Sequence, residues 1–174
     1  SFTARFANPA AAGEFVVRVL AEPLAITSMQ VRASEVDILI EGTQAGIAAQ
    51  HKRIREFGKA EPSDASIFQA RQKLWDKPGA IAKISVVPSK IAEFANADAV
   101  FQATGIGWMR VSGGLAALRS RVVAAGGSLT VLRPDANDPV DAWGEASALG
   151  LMKAVKRQFD PHGTLNPGRF VGGI

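Results

Sequence analysis

The chain has 174 residues, 47 % hydrophobic and 21 % charged, with a formal net charge of +4 and no cysteine. This length suits one domain or two small fused modules, and the composition is ordinary for a globular protein. The lack of cysteine excludes disulfides, thiolate catalysis and Cys-ligated metal centres. No apolar run approaches the roughly 18–20 residues that a membrane-spanning helix needs.

The N-terminal part predicts a strand, a helix and a hairpin. Residues 1–6 alternate as a strand does, and Asn8 then caps a helix with Pro9 in its first position. Residues 25–32 and 36–41 predict two strands joined by a tight turn. In the second of these strands, one face carries Val36, Ile38 and Ile40 and the other carries Asp37, Leu39 and Glu41.

Two further helices are predicted before the middle of the chain. Thr43 is the expected N-cap of the first, which Gly58 is expected to end. Residues 59–62 resemble a linker, and Ser63 is the expected cap of a helix that runs to about residue 75.

The second half repeats a similar order of elements. The predicted order is strand 80–87, short helix 89–95, strands 99–103 and 106–111, a helix capped by Ser112, and strand 128–132. After a loop over residues 133–140, a helix is predicted over 141–159. Its residues Leu149, Met152, Val155 and Phe159 are expected to face the core.

These patterns predict an α+β fold. Residues 80–132 have the order βαββαβ, which is the ferredoxin-like or split βαβ unit, and residues 1–57 contain most of the same unit. We therefore expect one antiparallel sheet with helices packed on one face, built from two halves at about 1–58 and 63–132. The C-terminal helix and tail occupy residues 141–174.

The tail carries the most specific pattern in the chain. Pro161 stops the preceding helix, and residues 160–163 predict a type I turn with Gly163 in its last position. In Asn166-Pro167-Gly168, the glycine supplies the positive φ that a type II turn needs. Two turns therefore hold a short segment with an amide, a guanidinium and backbone N–H groups.

The segment from Lys156 to Arg169 reads Lys-Arg-x-Phe-Asp-Pro-x-Gly-x-Leu-Asn-Pro-Gly-Arg. It resembles the terminal signature of FAD-linked oxidases of the vanillyl-alcohol-oxidase type, and within them most resembles the glycolate oxidase E-type subunit. The resemblance implies a C-terminal cap domain over a flavin, and oxidation of a 2-hydroxy acid to a 2-oxo acid by hydride transfer to that flavin. The chemistry is that of the cofactor, which the protein orients.

The resemblance also implies that a separate domain binds the FAD. The family holds FAD mainly through an N-terminal domain with glycine-rich loops, and these 174 residues contain no such loops. The chain by itself is therefore expected to be inactive. The implied partners are a flavin-binding domain of the same protein, a sister oxidase subunit and an iron–sulfur subunit. The expected location is cytoplasmic, or peripheral to the inner face of the membrane.

Three cations are candidates for binding a substrate carboxylate, which arginine holds well through paired hydrogen bonds. Arg71 resembles the arginine of the family's Leu-Trp-x-x-Arg helix, and Lys83 resembles a basic strand position of the family. The spacing between the two is shorter than in the relatives. Arg110 lies two residues after Trp108 on a strand and therefore on the same face. Each of the three could instead be a surface cation.

The terminal motif supplies the candidate contacts to the cofactor, which are Asn166, Gly168 and Arg169. In the family, this segment folds back toward the flavin domain, where an amide can bond the cofactor. The alternative for Asn166 is that it only starts a turn.

Other kinds of site have little support. The only histidines are His51, expected to be packed at a helix edge, and His162, expected to be exposed, so no metal site is predicted. The basic residues form scattered clusters on helices, with no interleaved aromatic residues, which favours solvated surfaces over a nucleic-acid interface. The alternative function is a non-catalytic ferredoxin-like module that binds small anions or mediates subunit contacts.

Overall fold

The computed structural model describes residues 1–174 and is built around one eight-stranded antiparallel sheet. The strands are β1 (Phe2–Arg5), β2 (Ser28–Arg32), β3 (Glu35–Leu39), β4 (Ala60–Pro62), β5 (Ala80–Ser85), β6 (Ala99–Gln102), β7 (Ile106–Val111) and β8 (Ser128–Arg133). The α-helices are α1 (Pro9–Leu20), α2 (Gln44–Ile54), α3 (Ala70–Lys73), α4 (Leu115–Ala124) and α5 (Leu149–Phe159). Short 3-10 helices cover Ala65–Gln69, Leu74–Asp76, Pro88–Glu93 and Val171–Gly173.

The sheet consists of two split βαβ units joined edge to edge. The strand order is β4-β1-β3-β2-β6-β7-β5-β8, and every neighbouring pair is antiparallel. The first half has the order β4-β1-β3-β2. The second half has the equivalent order β8-β5-β7-β6 when it is followed from the opposite edge of the sheet. The halves meet through β2 and β6, where only Gln30 pairs with Gln102 and Val31 with Phe101. The predicted fold class is confirmed.

The main core lies between one face of this sheet and the helices. Val36, Ile38 and Ile40 are buried on that face, as the alternation along their strand predicts. The N-caps predicted for α1 and α2 are also confirmed. Asn8 accepts a hydrogen bond from the backbone N–H of Ala11 at 2.9 Å, and Thr43 accepts one from Gly46 at 3.2 Å.

The predicted linker at residues 59–62 is wrong, because Ala60–Pro62 forms β4 and pairs with β1. A strand this short, with charge and proline, is typical of a protected sheet edge and has the composition of a linker. The predicted stop at Gly58 is also wrong. Helix α2 already ends at Ile54, and Gly58 lies against Phe15, where a Cβ would come within 3.0 Å of the ring.

Residues 65–76, here named the crossing segment, replace the single helix predicted from Ser63. Asp64 is the actual N-cap and accepts from the Ser66 N–H at 2.7 Å, and the segment runs as 3-10 helix, α3 and 3-10 helix. Its residue Leu74 forms a second, small core with Ile81 and Val100. Because these two strand residues point away from the main core, the crossing segment covers part of the opposite face of the sheet.

The predicted capping of α4 by Ser112 is wrong. The N-cap is Gly114, with φ of 79°, and the free N–H of Leu115 is instead bonded by the Asp138 carboxylate at 2.8 Å. The loop after β8 therefore supplies a cap that local sequence cannot reveal. The helix ends at two glycines, since Gly126 has φ of 77° and Gly127 donates to the Val122 carbonyl.

The C-terminal helix is shorter than predicted and does not pack on the core. Helix α5 covers only Leu149–Phe159, and none of its residues is buried. Val155 is 49 % exposed and Phe159 is 81 % exposed, so their predicted orientation toward the core is wrong. Leu149 and Met152 are half-buried, with Leu149 against Gly172 of the tail, but no element of this chain covers Val155 and Phe159.

Candidate functional site

The three predicted substrate cations all belong to the face of the sheet opposite the main core. On β5 and β7 the core-facing positions are held by residues such as Ala82 and Met109, so the intervening Lys83, Trp108 and Arg110 point the other way. Arg71 reaches the same face from the crossing segment. The structure therefore brings all three predicted cations to one surface.

Trp108 is the centre of this group, which we name the Trp108 cluster: Arg71, Lys83 and Trp108. The Cζ atom of Arg71 lies 4.5 Å from the centroid of the Trp108 ring, within the range of a cation–π contact. Lys83 is the residue directly opposite Trp108 across the β5–β7 pair. Both cations are thus neighbours of one half-buried aromatic ring.

Arg71 and Lys83 differ from Arg110 in how their charges are compensated. Neither Arg71 nor Lys83 has an ion-pair or hydrogen-bond partner for its side chain, and both residues are exposed. By contrast, Arg110 is paired with Asp98 and donates to the Ser112 hydroxyl at 3.0 Å. Of the three predicted substrate cations, only Arg71 and Lys83 therefore offer uncompensated positive charge to a ligand.

The geometry of this surface also limits what it can do alone. Two exposed cations in water attract a carboxylate weakly, because solvent screens the interaction. Covering the surface with a second protein layer would lower the local dielectric and strengthen the same contacts. The Trp108 cluster therefore forms one wall of a site that another surface would have to complete.

A buried polar network beside this surface was not predicted. Asp37 is fully buried and accepts hydrogen bonds from Thr3, Gln30 and Arg32, the last through two nitrogens at 2.7 and 3.0 Å. The Asp37 carboxylate raises the pKa of Arg32 through these bonds. The hairpin pattern could have predicted one contact of this network, because a two-residue turn places Gln30 directly opposite Asp37.

The second set of candidate residues lies in what we call the C-terminal arm, residues 142–174. The arm folds upon itself: Trp143 and Phe170 form an edge-on pair with centroids 4.8 Å apart, and Leu149 lies against Gly172. It is attached to the sheet by the hydrogen bond from the Val131 N–H to the Ala142 carbonyl at 2.8 Å.

Asp160 organises the turn that the tail motif predicts. Its carboxylate accepts from the backbone N–H groups of Thr164 and Leu165, each at 2.9 Å, and pairs with Lys156 at 2.5 Å. The bond from Lys156 and the one from the Leu165 N–H hold the pKa of Asp160 well below its usual range. The predicted turn at residues 160–163 is present, closed by the Gly163 N–H on the Asp160 carbonyl.

The predicted cofactor contacts lie on the surface of the arm. The turn at residues 166–169 is closed by the Arg169 N–H on the Asn166 carbonyl at 3.3 Å, with φ of 72° at Gly168. Asn166, Gly168 and Arg169 are all exposed, and neither polar side chain has a partner within the chain. They could contact the edge of a ligand presented from outside. They do not enclose a cavity for a whole flavin, and no contact joins them to the Trp108 cluster.

The histidines lie as the sequence predicts. His51 stacks on Phe2 with ring centroids 3.8 Å apart, and its Nε2 lies 2.9 Å from the Ala60 carbonyl oxygen, while His162 is exposed. No group of three or more His, Cys, Asp or Glu side chains is arranged to hold a metal ion. No helix combines the length and apolar character that crossing a membrane requires.

Comparison with known proteins gives a match within the arm. Residues 142–170 match the family model of FAD linked oxidases, C-terminal domain. No curated protein and no solved structure matches the chain. The matched residues cover the arm except for its last four, so the family signal and the structural module coincide. Over its C-terminal arm, this chain is similar to the C-terminal domain of FAD linked oxidases.

Proposed function

We propose that this chain is the C-terminal cap domain of an FAD-linked oxidoreductase that acts on a small 2-hydroxy acid. The observation that carries the proposal is the Trp108 cluster, in which Arg71 and Lys83 present two uncompensated positive charges around one aromatic ring. A carboxylate fits these groups, because a guanidinium and an ammonium both donate charge-assisted hydrogen bonds to it. The family match of the arm supports FAD as the redox group.

In this proposal the chain binds and orients the substrate, and FAD held by the covering domain would supply the hydride-accepting chemistry. Arg71 and Lys83 hold the carboxylate, which leaves the hydroxyl-bearing carbon directed away from the sheet toward the covering domain. Arg110 has its charge neutralised by Asp98 and serves to hold the strand in place. The resemblance to the glycolate oxidase E-type subunit supports a substrate of the glycolate or lactate type.

The arm supports a flavin-binding domain as the partner. Leu151, Val155 and Phe159 are spaced four residues apart and form an exposed apolar stripe along α5. The helix carries Lys153, Lys156 and Arg157 and has no acidic residue. The complementary surface is therefore apolar with acidic residues at its rim. Docking there would place Asn166 and Arg169 at the boundary between the two domains.

A titration of the 174-residue protein with glycolate, followed by NMR, tests the carboxylate site. We expect saturable shifts of the Trp108 indole N–H and the Arg71 side chain. Arg71→Gln or Lys83→Gln should weaken binding about twofold to fivefold, because an exposed ion pair contributes up to about 1 kcal/mol. Lys52→Gln, which removes an exposed cation from α2, is the matched control.

Two results would contradict the proposal. One is an unchanged affinity in both Arg71→Gln and Lys83→Gln, or an equal loss in Lys52→Gln, which would reduce the effect to net charge. The other is equal binding of the neutral diol ethylene glycol. The absorbance spectrum of the purified chain tests whether FAD is held by a separate domain. We expect no stoichiometric flavin in the chain without that domain.

The alternative, a non-catalytic module that binds small anions or mediates subunit contacts, is supported by the exposed stripe on α5. It predicts the same glycolate titration but no functional link to flavin. The reading frame upstream of Ser1 discriminates between the two. Glycine-rich flavin-binding loops encoded there support the oxidoreductase, and a start codon directly before Ser1 supports the module.

A further inference from the structure

The crossing segment bridges the narrowest junction in the molecule. The two halves of the sheet share only two residue pairs between β2 and β6. The crossing segment passes over this junction, with its first 3-10 helix against β3, α3 against β6 and its last turn against β7. Arg71 lies in α3, so its position depends on how the segment is held at its two ends.

Both ends are held by side-chain hydrogen bonds to backbone carbonyls. At the N-terminal end, the Gln30 amide donates to the Ile67 carbonyl at 3.0 Å. At the C-terminal end, the Arg133 guanidinium donates to the carbonyls of Trp75 at 2.9 Å, Lys77 at 2.5 Å and Gly79 at 2.8 Å. Gln30 belongs to the first half of the sheet and Arg133 to the second, so the segment is fixed to both.

The Gln30 amide has a fixed orientation. The same nitrogen that bonds Ile67 also donates to the Asp37 carboxylate at 2.8 Å, so its two N–H groups are both used on acceptors. Asp37 is in turn held by Arg32 and Thr3. Since Gln30 is only 5 % exposed, water does not compete for this amide. The buried network therefore directs one donor at the crossing segment.

We propose that Gln30 is a positioning residue that sets the place of Arg71 over Trp108, by bonding the Ile67 carbonyl one helical turn earlier. This inference rests on the proposed function, in which Arg71 receives the substrate carboxylate. Ile67 and Arg71 are four residues apart in continuous 3-10 and α-helix, so a shift at Ile67 moves Arg71 with it. The polar network thus acts on the site without touching the ligand.

The test uses Gln30→Met, which keeps the length of the side chain and removes both donors. The matched control is Gln102→Met, because Gln102 is the cross-strand partner of Gln30 at the same junction but is exposed. NMR reads the position of Arg71 directly, since its side-chain protons are shifted upfield by the Trp108 ring. We expect that upfield shift to be lost in Gln30→Met and kept in Gln102→Met, with glycolate binding weakened about twofold in the former only.

The outcomes separate the two proposals. If Gln30→Met folds and the Arg71 shift is unchanged, the positioning role is wrong, whatever happens to glycolate. If the shift is lost but the wild-type chain binds no glycolate, positioning stands and the proposed function fails. Should Gln30→Met not fold, Gln30→Asn replaces it, because this variant keeps an amide in the buried network and draws it back from the Ile67 carbonyl. An unchanged Arg71 shift in that variant would overturn the inference.

Discussion

Asp160 shows how a single carboxylate can shape the C-terminal arm. It follows the last turn of α5, accepts hydrogen bonds from two backbone N–H groups and forms an ion pair with the Lys156 ammonium. These bonds hold the reversal of the chain after α5, where residues 161–170 are all exposed. The motif Asp-Pro-x-Gly is thus a folding signal: proline ends the helix, and the aspartate satisfies the N–H groups that follow.

We predict that the turn of the arm loosens in acid. The pKa of Asp160 is lowered in the folded protein, so its stabilising effect is present above the ordinary aspartate pKa of about 4 and is lost as the pH falls below it. The backbone amide shifts of Thr164 and Leu165, followed by NMR from neutral to acidic pH, measure this. In Asp160→Asn the two amides should already be displaced at neutral pH and should not titrate. Amides that titrate in the wild type at the ordinary aspartate pKa of about 4 would contradict the assignment.

Helix α5 shows what an amphipathic pattern can and cannot establish. Its apolar residues recur with helical spacing, which is why the sequence predicts that they face a core. In the structure, Val155 is 49 % exposed and Phe159 is 81 % exposed, because no element of this chain packs on them. The pattern determines which side of the helix is apolar. Whether that side packs within the chain or against a partner is decided by the other elements.

We therefore predict that the apolar stripe of α5 contributes little to the stability of the chain. Leu151→Ser and Phe159→Ser should change the free energy of unfolding by no more than about 0.5 kcal/mol, as surface substitutions do. Ile38→Ala, in the main core, should cost about 2–5 kcal/mol. Urea denaturation followed by circular dichroism compares the three. A loss in Phe159→Ser as large as that in Ile38→Ala would show that α5 packs on the core after all.

At the scale of the whole molecule, the chain consists of a double sheet unit and an arm of different character. The sheet unit holds its main core between one face and the helices, and the crossing segment ties its halves together on the other face. The arm is connected mainly through Arg119, which bonds the carbonyls of Asp141 and Ala142, and through the Val131 N–H. Only Asp160 and Val171 are buried within the arm.

A chain truncated after Gly144 should accordingly fold. It retains all eight strands and the bonds to Asp141 and Ala142, and it loses an arm whose helix has no buried residue. We expect a cooperative thermal transition within a few degrees of that of the full chain, measured by circular dichroism. A non-cooperative transition would show that the arm stabilises the sheet. The untruncated chain and a Leu151→Ser variant provide the comparison.

Local patterns in the sequence were sufficient for most elements and for the fold class. The caps at Asn8 and Thr43 and the alternation in β3 act between residues that are close along the chain, and they are visible in it. The β4 strand was missed because an edge strand with proline has the composition of a linker. The capping of α4 by Asp138 was missed because the two lie 23 positions apart.

For the candidate site as well, local features could be predicted from the sequence and long-range ones could not. The sequence by itself determined that Trp108 and Arg110 share one face of a strand and that two turns follow Asp160, because side-chain alternation and turn chemistry are local. Only the tertiary structure decided that Asp98 neutralises Arg110 while Arg71 and Lys83 remain uncompensated, and that a buried amide holds the segment carrying Arg71. Charge compensation and burial depend on residues distant in sequence, and the folded sheet is what brings those residues together.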